Sequence, residues 1–273
     1  AKHSVTIGKQ EVNLNDERFL SKGSWALNGR TFNAVVARGD WNSGYWHGGF
    51  LQLRSGGTYD GQCGTPQCET VSAGDVLFFA NTNVKWNSLY IRPYLLHLRE
   101  NATADNLDIE RRITNTGFRV EGTHPNAFYT LDGAIQTGQA SSKITHQAWM
   151  GVAELGLKND RFKSSIYLEH NSGDQDPTDK IDQDFESFLG RYHGLRGWSD
   201  QVGGTNLRDI AVKLAAPLGK QWTAILQAHQ FQMDVASGNL YTHNDVLIGS
   251  VSDNSEVNLG KELDLVLHQK PLE

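Results

Sequence analysis

Side chains alternate between apolar and polar along segments of about ten residues, and this period restricts the fold of the chain more than any other feature. In the run 129–137, for example, Tyr129, Leu131 and Ile135 are separated by polar or small residues. Successive side chains of a strand point to opposite faces, so each segment has one apolar and one polar face. About ten residues is also the length of a tilted strand that crosses a bilayer. A series of such strands is typical of a transmembrane β-barrel with a polar interior.

Composition agrees with this prediction and excludes other classes. Only 38% of the 273 residues are hydrophobic, which is low for a soluble globular domain but sufficient for strands that need one apolar face. The sequence has no run of 18 apolar residues, so a membrane-spanning helix is excluded. The net charge is −6 and there is no basic block, so nucleic acid is not an expected partner.

About twelve strands are predicted by the alternation, and they are connected by alternately long and short segments. This predicts an all-β fold, an antiparallel up-and-down transmembrane β-barrel with short periplasmic turns and long outer loops. The predicted strands are 4–14, 31–39, 45–54, 75–82, 86–99, 108–121, 128–137, 145–157, 162–171, 206–215, 220–231 and 257–268. The predicted long connectors are 15–30, 55–74, 100–107, 138–144, 172–205 and 232–256.

The alternation also predicts which side chains face lipid. The clearest outward positions are Tyr129, Leu131, Ile135, Leu263, Leu265 and Leu267. Pro93 interrupts the pattern of its strand, and a bulge is expected there because proline cannot donate a ladder hydrogen bond. A soluble sandwich or lipocalin-like barrel would also alternate. The long strands, and the aromatic residues near strand ends, favour the membrane barrel.

Two cysteines, Cys63 and Cys68, lie in a polar, turn-rich connector. Their close spacing predicts a disulfide in an outer loop, which fits an oxidising compartment. The alternative is half of a metal site, but no second Cys/His pair lies near in sequence.

Two groups of motifs resemble the alginate-export family of outer-membrane porins. The first comprises Gly8-Lys9-Gln10-Glu11, Asn15-Asp16-Glu17-Arg18-Phe19, Trp25 and Gly29-Arg30-Thr31-Phe32-Asn33. The second comprises Asn171-Ser172-Gly173-Asp174-Gln175-Asp176-Pro177-Thr178-Asp179, Asn206-Leu207-Arg208-Asp209, Pro217, His229-Gln230-Phe231 and Gly260-Lys261-Glu262-Leu263-Asp264-Leu265. Order and spacing agree with the family along nearly the whole chain.

The resemblance implies a barrel of about eighteen strands in the outer membrane of a Gram-negative bacterium. Residues 1–273 would then be a single barrel domain that is incomplete at both ends, although twelve strands could also close a smaller barrel. The sequence departs from the family pattern: Lys9 replaces arginine, Asn15 replaces glycine and Asn33 replaces aspartate, and Val36 stands where a lumen arginine is common. A belt of lumen arginines is expected to attract an anionic polymer in this family. Because this sequence has fewer of these arginines, the resemblance does not identify alginate as the transported solute.

Positive side chains are the leading candidates for lining the pore and contacting a solute. The alternation places Arg38, Arg99, Arg111 and Arg119 on or near inward positions, and the resemblance adds Lys9, Arg18 and Arg30. Inward arginines present a fork of donors that suits carboxylates or sulfates, and a ring of them selects anions. The alternative role is structural, in ion pairs across the lumen wall such as Arg119 with Glu121 or Glu154.

An acidic stretch in connector 172–205 is a candidate site for Ca²⁺, with Asp174, Asp176 and Asp179 as ligands. The alternative is a solvated outer loop. No other cofactor is predicted, and no arrangement of nucleophile, histidine and carboxylate indicates an enzyme.

The sequence therefore predicts an outer-membrane porin that passes polar, anionic solutes or polysaccharide through a charged lumen constriction. Its expected partners are outer-membrane lipid and the solute. A second hypothesis is that the long outer loops serve adhesion, or the docking of a partner or phage, and a weaker third is an outer-membrane enzyme.

Overall fold

The computed structural model describes residues 2–23, 29–53, 74–101, 110–191, 193–241, 247–250 and 257–269. Fifteen β-strands are found in these ranges: β1 (Lys2–Gln10), β2 (Phe32–Trp41), β3 (Gly44–Gln52), β4 (Val76–Trp86), β5 (Leu89–Glu100), β6 (Arg111–Thr123), β7 (Ala127–Ser141), β8 (Ile144–Lys158), β9 (Lys163–Asn171), β10 (Ile181–Asp182), β11 (Leu207–Leu218), β12 (Trp222–Met233), β13 (Asn239–Tyr241), β14 (Leu247–Ser250) and β15 (Asn258–Gln269). In the same ranges no helix is long and apolar enough to cross a membrane.

Twelve long strands form one antiparallel meander, in which each strand pairs with its nearest long neighbour along the chain. The order is β1 to β9, then β11, β12 and β15, which confirms the predicted up-and-down arrangement. The short β10 adds to β8 in parallel, and β13 pairs with β14 as a separate hairpin. No pairing joins β1 to β15 in the described parts of the chain, so these strands are the edges of the sheet.

One predicted long connector, 138–144, is wrong. β7 continues to Ser141 and β8 begins at Ile144, which leaves a two-residue turn. The small and polar residues of this stretch have weak strand propensity. They become strand because the register continues through pairs such as Gln139 with Thr145.

The predicted bulge at Pro93 is also absent from the pairing of β4 with β5. The partners Asn81 and Tyr94 and the partners Val84 and Ile91 belong to one register, and the ladder is only interrupted between them. Pro93 remains opposite Phe118 of β6. The missing N–H of proline is therefore accommodated by omitting ladder bonds on one side, without an inserted residue.

The outward face of the meander is apolar and exposed, as the alternation predicts. Leu263, Leu265 and Leu267 of β15 are 72%, 69% and 56% exposed, and Ile135 and Leu131 of β7 are 59% and 49% exposed. A soluble protein rarely exposes a contiguous apolar surface of this extent. This face is therefore the lipid-facing surface of a membrane barrel.

Large aromatic side chains mark one border of the lipid-facing surface. Trp41, Trp86 and Trp222 are exposed and lie at the strand ends next to short turns. Such residues prefer the membrane–water interface. Two other aromatic residues near strand ends point inward instead: the guanidinium of Arg38 lies over the ring of Tyr45, and the ammonium of Lys163 lies over the ring of Phe128.

The hydrophobic core lies on the opposite face of the sheet, in the lumen. Inward side chains of β4 and β5, including Leu77, Phe79 and Leu96, are almost fully buried. They pack with Phe19 and Phe185 from two connectors in one cluster. The interior of this barrel is therefore partly filled by its own chain.

Candidate functional site

Two stretches of connector fold into the lumen, and we call them the lumen segments: residues 11–22, and residues 183–206 apart from 192. They meet at a parallel β-bridge between Leu20 and Leu189. The backbone N–H of Ser21 donates to the carbonyl of Leu189 at 3.0 Å, and the N–H of Leu189 donates to the carbonyl of Phe19 at 3.1 Å. The prediction that the whole of 172–205 is an outer loop is therefore wrong. Much of this connector lies inside the barrel because its apolar residues, such as Phe185, are buried there.

Aromatic packing holds the lumen segments against the wall. The ring of Phe19 lies 5.4 Å from that of Tyr94 on β5, 5.8 Å from Phe185 and 6.5 Å from Phe188. Aromatic pairs at such distances stabilise beyond the area they bury. The segments are therefore part of the packed structure of the barrel.

A fully buried ion-pair cluster joins the lumen segments to β9. Arg18 contacts Glu169 at 2.8 Å through Nη1 and donates to the hydroxyl of Tyr167 at 2.8 Å through Nη2. Arg196 contacts the same Glu169 oxygen at 2.5 Å. Burial lowers the pKa of the Arg18 guanidinium, but Glu169 and its other anionic neighbours outweigh this and raise its pKa overall. One carboxylate therefore holds two buried arginines from separate connectors.

A second cluster of ion pairs lies on the inward face of the neighbouring strands β5, β6 and β7. Arg119 on β6 contacts Asp16 at 2.8 Å, Asp132 at 3.1 Å and Glu121 at 2.8 Å. Glu121 in turn contacts Arg92 of β5 at 2.9 Å. Burial raises the pKa of Asp16, but the nearby arginines outweigh it and the pKa is lowered overall.

The two clusters are one network because Asp16 also contacts Arg18 at 3.5 Å. Four arginines and four carboxylates are connected by ion pairs from β5 and β6 through lumen segment 11–22 to β9: Arg92, Glu121, Arg119, Asp132, Asp16, Arg18, Glu169 and Arg196. We call this the charge network. Its formal charges cancel.

An acidic vestibule lies on the long-connector side of the network. It is a cavity of about 590 Å³ whose charged lining residues are Glu100, Arg111, Asp174, Asp179, Asp182, Asp184 and Glu186. Arg111 contacts both Glu100, at 2.8 Å, and Glu186. Burial raises the pKa of the Asp184 carboxyl, although Asn239 and Tyr241 donate hydrogen bonds to it at 3.0 and 3.1 Å.

The structure places most of the predicted pore-lining residues on the lumen side. Arg18 and Arg119 belong to the charge network, and Arg111 lines the vestibule. Arg38 is inward and bonded through Nε and Nη2 to Asp40. Glu154 accepts a hydrogen bond from Ser165 at 2.6 Å and is not a partner of Arg119.

Arg30 has a position that the family motif did not indicate. Its Nη1 donates to the carbonyl of Leu189 at 2.5 Å and lies 3.5 Å from that of Ser21. It thus connects the two lumen segments at their bridge.

Two of the predicted pore-lining residues are on the wrong face. Lys9 is paired with Asn33, and Arg99 is paired with Arg112. Partners directly opposite each other share a face, and these positions alternate with inward residues such as Leu98. Lys9 and Arg99 therefore point out of the barrel. The family motif does not define the face of Lys9, and alternation alone does not fix the face of Arg99, because it lies near a strand end whose register the sequence does not give.

The acidic residues proposed as calcium ligands serve as acceptors in local turns. Asp176 accepts from the N–H and the hydroxyl of Thr178, and Asp179 accepts from the N–H of Ile181 at 2.6 Å. Asp174 accepts from the N–H of Asp176 at 3.3 Å. In the described parts of the chain, no three His, Cys, Asp or Glu side chains are grouped so that they could hold a metal ion. Cys63 and Cys68 lie outside the described residues, and their disulfide stays a prediction.

Several residues of the charge network were not identified from the sequence: Asp16, Arg92, Asp132, Glu169 and Arg196. Asp132 and Glu169 lie on the inward face that the alternation defines, so a search for inward acids would have found them. Asp16 lies within a quoted family motif. Arg196 has no such signal, because the connector that carries it has no period.

Comparisons with known proteins agree with this architecture. The family model described as Alginate export matches residues 1–272. Among solved structures, OmpT (in-vitro folded), an outer membrane protein of Vibrio cholerae, is similar with a TM-score of 0.52 and 12% identity, over 96% of this chain and 74% of that chain. Outer-membrane expressed OmpT of Vibrio cholerae has a TM-score of 0.45 and 10% identity, over 96% and 75%. No curated protein matches the chain. The first structural likeness shows the fold, an outer-membrane β-barrel.

Proposed function

The chain belongs to the alginate-export family, and on that premise we propose that its lumen passes polar, anionic solutes or polysaccharide through a constriction of paired charges. Membership makes it an outer-membrane β-barrel of a Gram-negative bacterium with a channel or export role. The described role of the family is export, which is transport and not catalysis. The proposal concerns the class of solute and the way the lumen selects it.

The charge network is the observation that carries the proposal. It extends on the lumen side from β5 and β6 through lumen segment 11–22 to β9, and it includes the buried side chains of Arg18, Arg119 and Arg196. A hydrophobic plug would oppose any polar solute, whereas fixed arginines and carboxylates can replace part of its hydration shell. The network is therefore suited to a constriction for polar molecules.

Anion preference follows from the chemistry of the guanidinium groups. An arginine presents a planar fork that binds carboxylate or sulfate in two places. An anionic solute can exchange with a protein carboxylate such as Asp16 while each arginine keeps a negative partner. A cation passing the same point would have to displace arginines that are held by buried ion pairs, such as Arg18 with Glu169 and Arg119 with Asp132.

A second candidate is a cation-preferring passage, and the acidic vestibule favours it. Six carboxylates line the cavity against the single guanidinium of Arg111. A rim of one sign raises the local concentration of ions of the other sign. The two candidates differ in which region controls permeation, the vestibule or the charge network.

Ion selectivity in a planar bilayer distinguishes the two candidates. We expect the reversal potential of the parent in a KCl gradient to indicate anion selectivity. Arg92→Gln should reduce that selectivity, since this arginine belongs to the charge network and its side chain is partly exposed on the lumen side. The matched control is Arg99→Gln, which removes the same charge from the outward face. A cation-selective parent, or a reversal potential that moves equally in the control, contradicts anion preference.

The hypothesis that the long outer loops dock a partner is weakened by the lumen segments. These parts of connectors 15–30 and 172–205 lie inside the barrel. Residues such as Phe185 and Leu20 in the lumen segments are fully buried. The described parts of connectors 15–30 and 172–205 therefore present a smaller exposed surface to a partner than their lengths suggest.

A further inference from the structure

A notch interrupts the lipid-facing surface across strands β6 to β11. Gly133 of β7 and Gly151 of β8 are direct partners and form its floor. A methyl group added at Gly151 would meet no atom within 4 Å, and one added at Gly133 would meet only the carbonyl of Met150, at 3.8 Å. Both glycines therefore leave open space on the outward face.

The notch is large and apolar. Its volume is about 680 Å³, within the range of about 300–1,000 Å³ usual for small-molecule sites. The outward walls are formed by Phe118, Val120, Leu131, Ala153, Leu168 and Ile210. These apolar walls suit a hydrocarbon chain.

Polar and charged side chains lie at one end of the notch, in the row of directly paired residues that also contains Gly151. Gly151 is paired with His170, and His170 is paired with Arg208. Arg208 donates to Asp234 through Nε at 2.9 Å and through Nη2 at 2.6 Å, and His170 Nε2 lies 2.6 Å from the same oxygen. Among the described residues, Nη1 of Arg208 has no acceptor, and the side chain is 49% exposed.

The position of this cluster relates it to the membrane border. It lies at the long-connector ends of β9 and β11, directly above the apolar Leu168 and Ile210. The ring of Trp149 packs edge-on against His170 at 4.5 Å, as expected for an aromatic residue at the interface. In bacterial barrels the long connectors face the outside, so the cluster is at headgroup level of the outer leaflet.

We infer that the notch holds an acyl chain of a phosphorylated glycolipid, the lipid A part of the lipopolysaccharide, whose phosphate contacts Arg208 and His170. The guanidinium is fixed by Asp234 on one edge and presents its remaining N–H groups to an anion. Asp234 also accepts from the N–H of Gly173, at 3.2 Å, so a bound phosphate would be adjacent to the connector that enters the lumen. The inference concerns the outer surface and does not depend on the solute that the lumen passes.

Native mass spectrometry of the detergent-purified protein tests the inference. Lipid A, phosphatidylglycerol and phosphatidylethanolamine are added separately, and bound lipid is counted for each variant. We expect lipid A to be retained by the parent and its retention to fall about tenfold in Gly151→Leu and in Arg208→Gln, which remove the space and the charge. Ala228→Leu and Lys261→Gln are matched controls, because both change outward residues of other strands and should retain lipid A.

Heat-dependent migration in gels confirms that each variant is folded before lipid is counted, and Ala153→Leu replaces Gly151→Leu if the latter does not fold. Equal retention of lipid A by the parent and the notch variants overturns the inference. Equal retention of phosphatidylglycerol and lipid A by the parent overturns the assignment to a glycolipid. Dimers that disappear in Gly151→Leu without a change in bound lipid would show that a second copy of the chain occupies the notch.

Discussion

Among single residues, Glu169 is the shared partner of two buried arginines in the lumen. Its Oε1 contacts Arg18 at 2.8 Å and Arg196 at 2.5 Å, and it accepts from Asn171 at 2.8 Å. Its Oε2 accepts from the hydroxyl of Tyr167 at 2.5 Å. Removing one partner of a buried ion pair is far more costly than removing a pair at the surface, because a charge remains buried without compensation.

We expect Glu169→Gln to lower the free energy of unfolding by about 3–5 kcal/mol. The amide is of similar size but leaves Arg18 and Arg196 without their shared anion. Urea unfolding in lipid vesicles measures the change. Glu110→Gln is the control, since its pair with Arg112 is exposed and should contribute about 0–1 kcal/mol. Equal losses in the two variants would contradict a special role for the buried cluster.

The residue type at position 15 is explained by its local backbone conformation, whereas the contact of the next residue is not predictable from the sequence. Asn15 has φ of +49°, in the left-handed region, where asparagine is tolerated better than most non-glycine residues. This accounts for asparagine at a position where the family pattern has glycine. The partner of its neighbour Asp16, which is Arg119 on β6, could not be predicted, because that contact depends on the path of the connector through the lumen.

At the level of elements, the lumen segments depend on each other and on the inward faces of β4 and β5. Leu20 is fully buried where it forms the bridge with Leu189. Arg30 donates a hydrogen bond to the carbonyl of Leu189 at this bridge. No helix or hairpin stabilises segment 11–22 by itself. Its position therefore depends on side-chain burial, and a charge at Leu20 should release it.

We expect Leu20→Asp to increase the single-channel conductance severalfold. An unpaired carboxylate in this apolar cluster costs several kcal/mol, so the segment should leave the wall and widen the lumen. Lys22→Asp is the matched control, because it places the same side chain at an exposed position of the same segment. Current recordings in planar bilayers measure both variants. An unchanged conductance in a folded Leu20→Asp barrel would mean that the segments do not limit permeation.

The sequences of strands β4 and β5 indicate that something covers their inward face, although they do not follow the apolar–polar alternation. The runs Val76-Leu77-Phe78-Phe79-Ala80 and Tyr94-Leu95-Leu96 are apolar on both faces. A wall strand of a water-filled barrel should be polar on one face. Apolar residues on both faces indicate that the inward side is covered, although they do not show which connector covers it.

For the molecule as a whole, the strand order could be predicted and the contents of the barrel could not. Alternation with short turns predicts that each strand pairs with its neighbour, and the observed meander follows that order. The lumen contacts join residues that are distant in sequence, such as Arg18 and Tyr167. Connectors without a period carry no register, so their path depends on packing that only the folded chain defines.

The lipid-facing surface leads to a prediction about the whole barrel. Leu265 lies in the middle of β15 and Gln269 lies at its end, and both are on the outward face. We expect Leu265→Arg to destabilise the barrel by about 2–4 kcal/mol, and Gln269→Arg by about 0–1 kcal/mol, because the cost of a charge falls from the bilayer centre to the interface. Urea unfolding in vesicles gives both values with the same added side chain on one strand. Equal stability of the two variants would mean that β15 does not face lipid, and the outward face of the barrel would then have to be assigned again.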